Sequence, residues 1–320
     1  MKPPSFEKFN YSLRPAKNIE RKMLCETLSR LSRISPLPLY QYIGFGSIGF
    51  VDFSLFHQRL GVKEMMSIEA NERAKPRVKF NRPYSCIQMK WGYSHKVLPT
   101  LKWTKRSIIW LDYDMPMNAN VLTDIATIAS GVKSGSVLMI TLDADPREVD
   151  TNKNTAVERL KELKLTVGKD LVPATIRGSD LGGWGTARVN REIIDSYIRK
   201  VLSDRNAPLN VESRIAYEQL FNFHYADGAK MMTVGGIFLN ESDHWKMSAD
   251  NFADLDFIKT AEEPYLIEAP ILTLREIRYL DERLPRTAPE VPHPSWLPEA
   301  ERKKYGKVYR YFPAFSEVET

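Results

Sequence analysis

Cysteine is nearly absent: the 320-residue chain has two, Cys25 and Cys86, far apart and in no CxxC pair. That scarcity argues against a disulfide framework or a cysteine-based structural zinc site, and it fits a reducing compartment, the cytoplasm being the simplest expectation. Long hydrophobic runs are also missing. No stretch of about 18 apolar residues occurs, so no membrane-spanning helix is expected. The opening Met1-Lys2-Pro3-Pro4-Ser5-Phe6-Glu7 has no apolar core behind its lysine and does not read as a secretory signal. Among the five histidines, His57, His95 and His244 have no metal-ligand spacing, and His224 sits among aromatics as a half-buried structural residue would. Neither sign of charge dominates. Lysine and arginine number 46 against 40 acidic residues, a net +6 that only weakly favours an anionic partner.

What the chain does have is the composition of a globular protein, 43% hydrophobic and 27% charged. From Leu39 to Asp145 strands alternate with helices. Strands are expected at Leu39–Ile43, Glu64–Glu69, Cys86–Met89, Ser107–Asp112 and Ser136–Leu142, with helices at Phe50–Leu60 and Ala119–Ser130. Ser107–Asp112 is apolar on both faces, as a central parallel strand should be. Strands separated by helices predict an α/β, doubly wound Rossmann-like sheet, mainly parallel. Leu220–Tyr225 and Met231–Leu239 flank Asp227-Gly228, a turn dipeptide, so the sheet is expected to end in an antiparallel hairpin.

The chain divides into three segments. Residues 1–37 form an N-terminal helical segment and 38–240 the sheet domain, with a helical insertion at about 150–210. Residues 241–320 form a C-terminal extension. Within the insertion, Gly178–Gly185 is flexible enough to loop over a site. Pro285–Pro298 is proline-rich, and Arg302–Phe312 is both basic and aromatic.

Glycine is sparse, 16 residues in 320, yet three fall within six positions in Gly44-Phe45-Gly46-Ser47-Ile48-Gly49. The stretch matches GxGxxG and lies between a predicted strand and a predicted helix, the context that pattern needs. Glycines there permit a tight turn and close approach of a ligand, and the helix N-terminus offers unpaired amides. Glu69 follows Gly49 by twenty residues, at the end of the next strand, where a carboxylate can accept hydrogen bonds from both ribose hydroxyls of an adenosine.

With the hairpin, these features resemble the class I S-adenosylmethionine-dependent methyltransferases. More closely, Arg14–Arg21, Tyr42–Ser47, Ser67-Ile68-Glu69, Phe80–Tyr84 and Trp110–Asp114 resemble a little-characterised group of bacterial O-methyltransferases. The resemblance is good over about residues 11 to 145 and looser over Phe221–Leu239. It implies S-adenosylmethionine as cofactor, its methionine part at Gly44, Phe45, Gly46, Ser47 and Gly49, its ribose at Glu69, and the reacting centre at Asp112 and Asp114. One departure stands out: Tyr42 occupies the place where the usual loop begins with an acidic residue.

A carboxylate at the C-terminal edge of a parallel strand sits where doubly wound sheets bind ligands, so Asp112 and Asp114 are the candidate catalytic neighbourhood. Lys17, with Arg14, is placed to close over the cofactor carboxylate or an anionic substrate. Two other readings remain open at this point. GxGxxG with a downstream acid is also the fingerprint of an NAD-linked oxidoreductase, and a fold that has lost turnover would serve as a non-catalytic partner subunit. The methyl acceptor is open among small molecules, proteins and RNA, since no NPPY-like tetrapeptide follows the fourth strand. Nucleic acid is a candidate partner through two basic stretches, Arg73–Arg82 and the Arg302–Phe312 tail.

Overall fold

The alternation read from Leu39 onward becomes a single eight-stranded sheet, whose strands lie side by side in the order Ile87–Trp91, Glu64–Glu69, Gln41–Gly44, Ser107–Asp112, Ser136–Asp143, Lys230–Leu239, Ala216–Ala226 and Tyr265–Ile267. It is seen in a computed structural model in which residues 14–145, 155–285 and 294–313 are described. The first seven residues and much of the proline-rich stretch lie outside the described residues.

The parallel half comprises β1 (Gln41–Gly44), β2 (Glu64–Glu69), β3 (Ile87–Trp91), β4 (Ser107–Asp112) and β5 (Ser136–Asp143). Its crossovers carry α2 (Val51–Leu60), α3 (Lys75–Asn81), α4 (Ser94–Val97) and α5 (Ala119–Gly131), with α1 (Pro15–Ser29) preceding β1. Strand β1 pairs with both β2 and β4, so the strand order reverses there and opens a crevice beyond the carboxyl ends of β1 and β4. β4 is buried along almost its whole length, in keeping with its two apolar faces.

Beyond β5 the insertion supplies α6 (Thr155–Val167) and α7 (Gly185–Asn206). The Gly178–Gly185 stretch is no free flap: it forms a 3₁₀ turn against α6, with Leu181 buried. The hairpin then follows, β6 (Ala216–Ala226) and β7 (Lys230–Leu239), with β7 antiparallel to β5. After a short α8 (Glu241–His244), one more strand, β8 (Tyr265–Ile267), joins β6 in parallel from the segment after residue 240. Its three residues are too short a run to signal a strand by alternation. Helices α9 (Leu274–Asp281) and α10 (Glu299–Val308) complete the described chain.

Both faces of the sheet are covered. Ile19, Met23 and Leu28 of α1 share one core with Phe53 and Phe56 of α2 and Phe221 and Phe223 of β6. On the other face, α5 and α7 pack Ile125, Ile128, Ile193 and Ile198 against Ile109, Leu138 and Val234. No helix among the described residues is long and apolar enough to cross a membrane.

Candidate functional site

At the carboxyl end of β4, Asp112 receives a buried cation. The Lys17 Nζ lies 2.8 Å from Asp112 Oδ1, 2.8 Å from Glu20 Oε2 and 3.1 Å from the Tyr225 hydroxyl, and it sits 4.4 Å above the Trp110 ring. Lys17 and Glu20 are both 0% exposed. A lysine is rarely buried to that degree unless it is paired, and here two carboxylates, a phenol and an aromatic face supply the pairing. Glu20 in turn accepts from the Thr233 hydroxyl. Thr233 meets Thr141 at 2.7 Å, and the Trp110 indole donates to Thr141 at 2.9 Å. A continuous polar network thus runs from α1 through β7 and β5 to β4.

The hairpin holds α1 in register. Asp227 Oδ1 and Oδ2 accept from the backbone amides of Ala16 and Lys17 at 3.2 and 2.9 Å, and the Arg14 guanidinium stands 3.8 Å away. The carboxylate satisfies first-turn amides that α1 leaves without an intrahelical partner. So the residue that makes the turn also fixes where Lys17 enters the site.

The glycine turn follows β1, the strand paired with β4. A Cβ on Gly44 would fall 2.6 Å from the Tyr42 hydroxyl, and one on Gly46 2.5 Å from the Phe50 ring and 2.7 Å from Ser67 Oγ. Glycine at these two positions is therefore required by the protein's own packing, and the Gly46 amide already donates to Ser67 Oγ at 3.1 Å. The left-handed backbone of the turn falls not on its glycines but on Ser47 (φ +49°) and Phe50 (φ +47°). Non-glycine residues adopt that region at a cost and concentrate at functional sites. The Ser47 hydroxyl is buried without a hydrogen-bond partner, an orphaned polar group in the turn where a ligand would approach.

Tyr42, the departure from the acidic pattern, resolves into a substitution in space. Its hydroxyl donates to Asp52, which α2 brings back to the end of β1. Burial raises the Asp52 carboxyl, an effect opposed by the Tyr42 hydrogen bond and the nearby Arg21 charge; burial likewise drives the Tyr42 phenol well above its usual range. Sequence reasoning missed Glu20, Asp52, Tyr225 and Asp227 as site residues. A signal existed for one of them: Lys17 and Glu20, three apart, share the helix face that carries Met23 and Leu24, where charges are out of place.

On the rim, Glu69 is half-buried at the end of β2, accepts from the Asn71 amide at 2.7 Å, and has its carboxyl raised mainly by burial. Phe45 packs edge-on to Tyr113, their ring centroids 5.1 Å apart. Tyr113 and Ser94 both donate to the buried Asp124 at 2.5 Å, which ties the loops after β3 and β4 to α5. Asp114 is exposed and makes no side-chain contact with Lys17; the two aspartates of Asp112-Tyr113-Asp114 are thus not a pair. Among the described residues no cluster of histidine, cysteine or carboxylate suits a metal ion. Next to the ends of β4 and β5, Met117, Asp145, Leu163, Leu181 and Asn190 line a cavity, and both side-chain atoms of Asn190, 1% exposed, lack partners.

His224 is more deeply placed than its aromatic surroundings alone indicated. It is buried, stacks on Trp184 at 4.7 Å and 17°, and leaves Nε2 without a partner; burial lowers its pKa to about 4.

The sequence profile of the family described as "Putative O-methyltransferase" matches residues 9–320. The chain belongs to that family. No curated protein sequence matches it. Similar solved structures include the N-methyltransferase NodS from Bradyrhizobium japonicum WM9 in complex with S-adenosyl-L-homocysteine, at 11% identity over 70% of this chain and 88% of that one, TM-score 0.39. An O-methyltransferase from Bacillus cereus in complex with S-adenosylhomocysteine matches at 12% identity, 67% and 80% coverage and TM-score 0.36. The amino pentose methyltransferase CalS10 from Micromonospora echinaspora matches at 13% identity and TM-score 0.32, over 41% of this chain and 53% of that one, about half its length. The methyltransferase-like fold of this family member stands on its strand order, with β7 antiparallel between β5 and β6.

Proposed function

We propose that the protein transfers a methyl group from S-adenosylmethionine to an oxygen or nitrogen nucleophile at Asp112. The observation that carries the reading is the buried Lys17 locked on Asp112 at the carboxyl end of β4, beside β1 and the turn whose Ser47 hydroxyl is orphaned. The cofactor supplies an electrophilic methyl on a sulfonium, so the chain's task is placement rather than bond polarisation. In this reading Gly49, Ser47 and the turn amides not already bonded face its amino-acid end, and Glu69 takes its ribose. The Lys17 ammonium, itself held by Glu20 and the Tyr225 phenol, fixes the orientation of Asp112. The Asp112 carboxylate, about a quarter exposed, then accepts the hydrogen of the incoming nucleophile and aligns its lone pair. Asn190, with an unpartnered donor and acceptor, orients the acceptor molecule from the neighbouring cavity. Two free thiols, Cys25 and Cys86, support a cytoplasmic setting.

NAD is not favoured, because a dinucleotide fold continues its sheet with a parallel strand where this one places antiparallel β7. Calorimetric titration decides the matter. S-adenosylhomocysteine is expected to bind saturably, and Glu69→Ala to weaken it at least tenfold without changing the fold, since the carboxylate lies at a strand end. Saturation by NAD alone, or an unchanged dissociation constant in Glu69→Ala, overturns the assignment.

A further inference from the structure

Helix α3 and the 3₁₀ turn before it (Glu72–Ala74) form the rim beside Glu69, and they carry a charge the catalytic reading leaves unused. Residues 72–82 hold Arg73, Lys75, Arg77, Lys79 and Arg82 against Glu72 alone. Their inward face is Ala74 and Val78, both buried. Arg73 and Arg77, four apart, and Phe80, three further on, follow one another along the outer face. Arg73, Arg77, Lys79 and Arg82 are exposed, and no carboxylate lies within ion-pair distance of any of the five cations among the described residues. Lys75 sits 5.1 Å over the Trp91 ring at the end of β3, which joins this helix to the crevice edge, and Tyr93 beyond it is 58% exposed. Phe80 is 89% exposed. A lone surface phenylalanine needs no explanation, but a ring standing free among unneutralised cations offers a stacking face beside phosphate-binding charges.

The other basic-aromatic stretch is built differently. Tyr305 and Tyr311 of the tail are buried, Lys303 and Lys304 pair with Glu299 and Glu301, and Arg310 pairs with Glu26. Its rings and much of its charge are spent inside the protein.

We infer that the face of α3 formed by Arg73, Arg77, Lys79 and Phe80 binds single-stranded nucleic acid, the cations on phosphates and Phe80 under a base, and leads the strand to the Asp112 crevice as methyl acceptor. The acceptor role rests on the methyl-transfer reading; the binding does not. A duplex keeps its bases stacked on one another and gives Phe80 nothing to stack against, so a single strand is the matching partner.

The test is fluorescence anisotropy of the full chain with labelled 20-nucleotide oligo(U), oligo(dT) and a 20-base-pair DNA duplex, titrated between 50 and 200 mM salt. At least one single strand should bind saturably and roughly tenfold or more tighter than the duplex. R77Q/K79Q should weaken binding and flatten the log–log salt slope by about 1.4, two phosphate contacts at about 0.7 each. F80A should weaken binding roughly fivefold or more with the slope unchanged. Both variants change exposed side chains only and should bind S-adenosylhomocysteine as the wild type does, which certifies their fold. Absence of saturable binding, equal affinity for the duplex, or wild-type affinity in either variant overturns the inference. Loss of S-adenosylhomocysteine binding in the wild type with the strand still bound would instead sink the methyl-transfer reading and leave the surface standing.

Discussion

At the scale of single residues, the site is organised by charges that have little contact with water. Lys17 and Glu20 are sealed beneath Asp112, and each is acceptable only because the other is there. Lys17→Met therefore leaves Glu20 buried without its counter-charge and should lower the unfolding free energy by about 3–5 kcal/mol in urea titrations. Lys17→Met with Glu20→Leu should recover part of that loss, because the uncompensated charge has gone. A double variant no more stable than Lys17→Met would show that packing, not charge, sets the cost. His224 is a second buried ionisable side chain. Its pKa of about 4 lies below the 6.5 of an unfolded chain, so from pH 6.5 down to 4 the unfolded state takes up a proton that the native state refuses. Stability from this residue is thus complete above pH 6.5 and falls as pH drops, by about 3 kcal/mol at most over the window. His224→Gln should remove that part of the pH dependence. Comparing the two proteins at each pH cancels the contribution of the buried carboxylates, and parallel curves would contradict the assignment.

Among elements, the strands of the parallel half and its helices α2 and α5 were legible because their signals are local. β2 and β4 have the bounds that alternation and apolar runs predict, and α5 differs by one residue. β8 was not legible, because three residues carry no periodicity and only pairing with β6 makes them a strand. The same limit hid the capping of α1. Asp227-Gly228 announces a turn, and nothing local says that its carboxylate reaches a helix some 210 residues earlier in the chain. Asp227→Ala should cost about 1–2 kcal/mol, the usual loss for a removed helix cap. Asp227→Asn should lose less, since an amide oxygen still accepts one of the two bonds. Denaturant midpoints of the two variants measure this, and equal losses would mean that charge on Arg14, not capping, is what Asp227 supplies.

For the whole molecule, the positions of Glu69 and Asp112 could be placed from the chain because each ends a strand, whereas Asp52, Tyr225 and Thr233 reach the same crevice only through tertiary folding. Helix α1 is the piece that joins the parts: its inner face carries Lys17 and Glu20, its start is held by the hairpin, and its outer side is gripped by the tail. Tyr311 donates to Glu26 at 2.5 Å, Arg310 pairs with the same carboxylate, and Lys22 donates to the Phe312 carbonyl at 3.1 Å. A helix bonded to the sheet on one side and the extension on the other should make the two unfold together. Differential scanning calorimetry is then expected to show one transition. S-adenosylhomocysteine at a hundred times its dissociation constant stabilises the native state by about 2.7 kcal/mol, and the whole transition should move up by roughly 5 °C. NAD at the same concentration should leave it in place. Two transitions of which only one moves would mean that the extension folds as a separate unit and that the grip on α1 is too weak to couple it to the cofactor crevice.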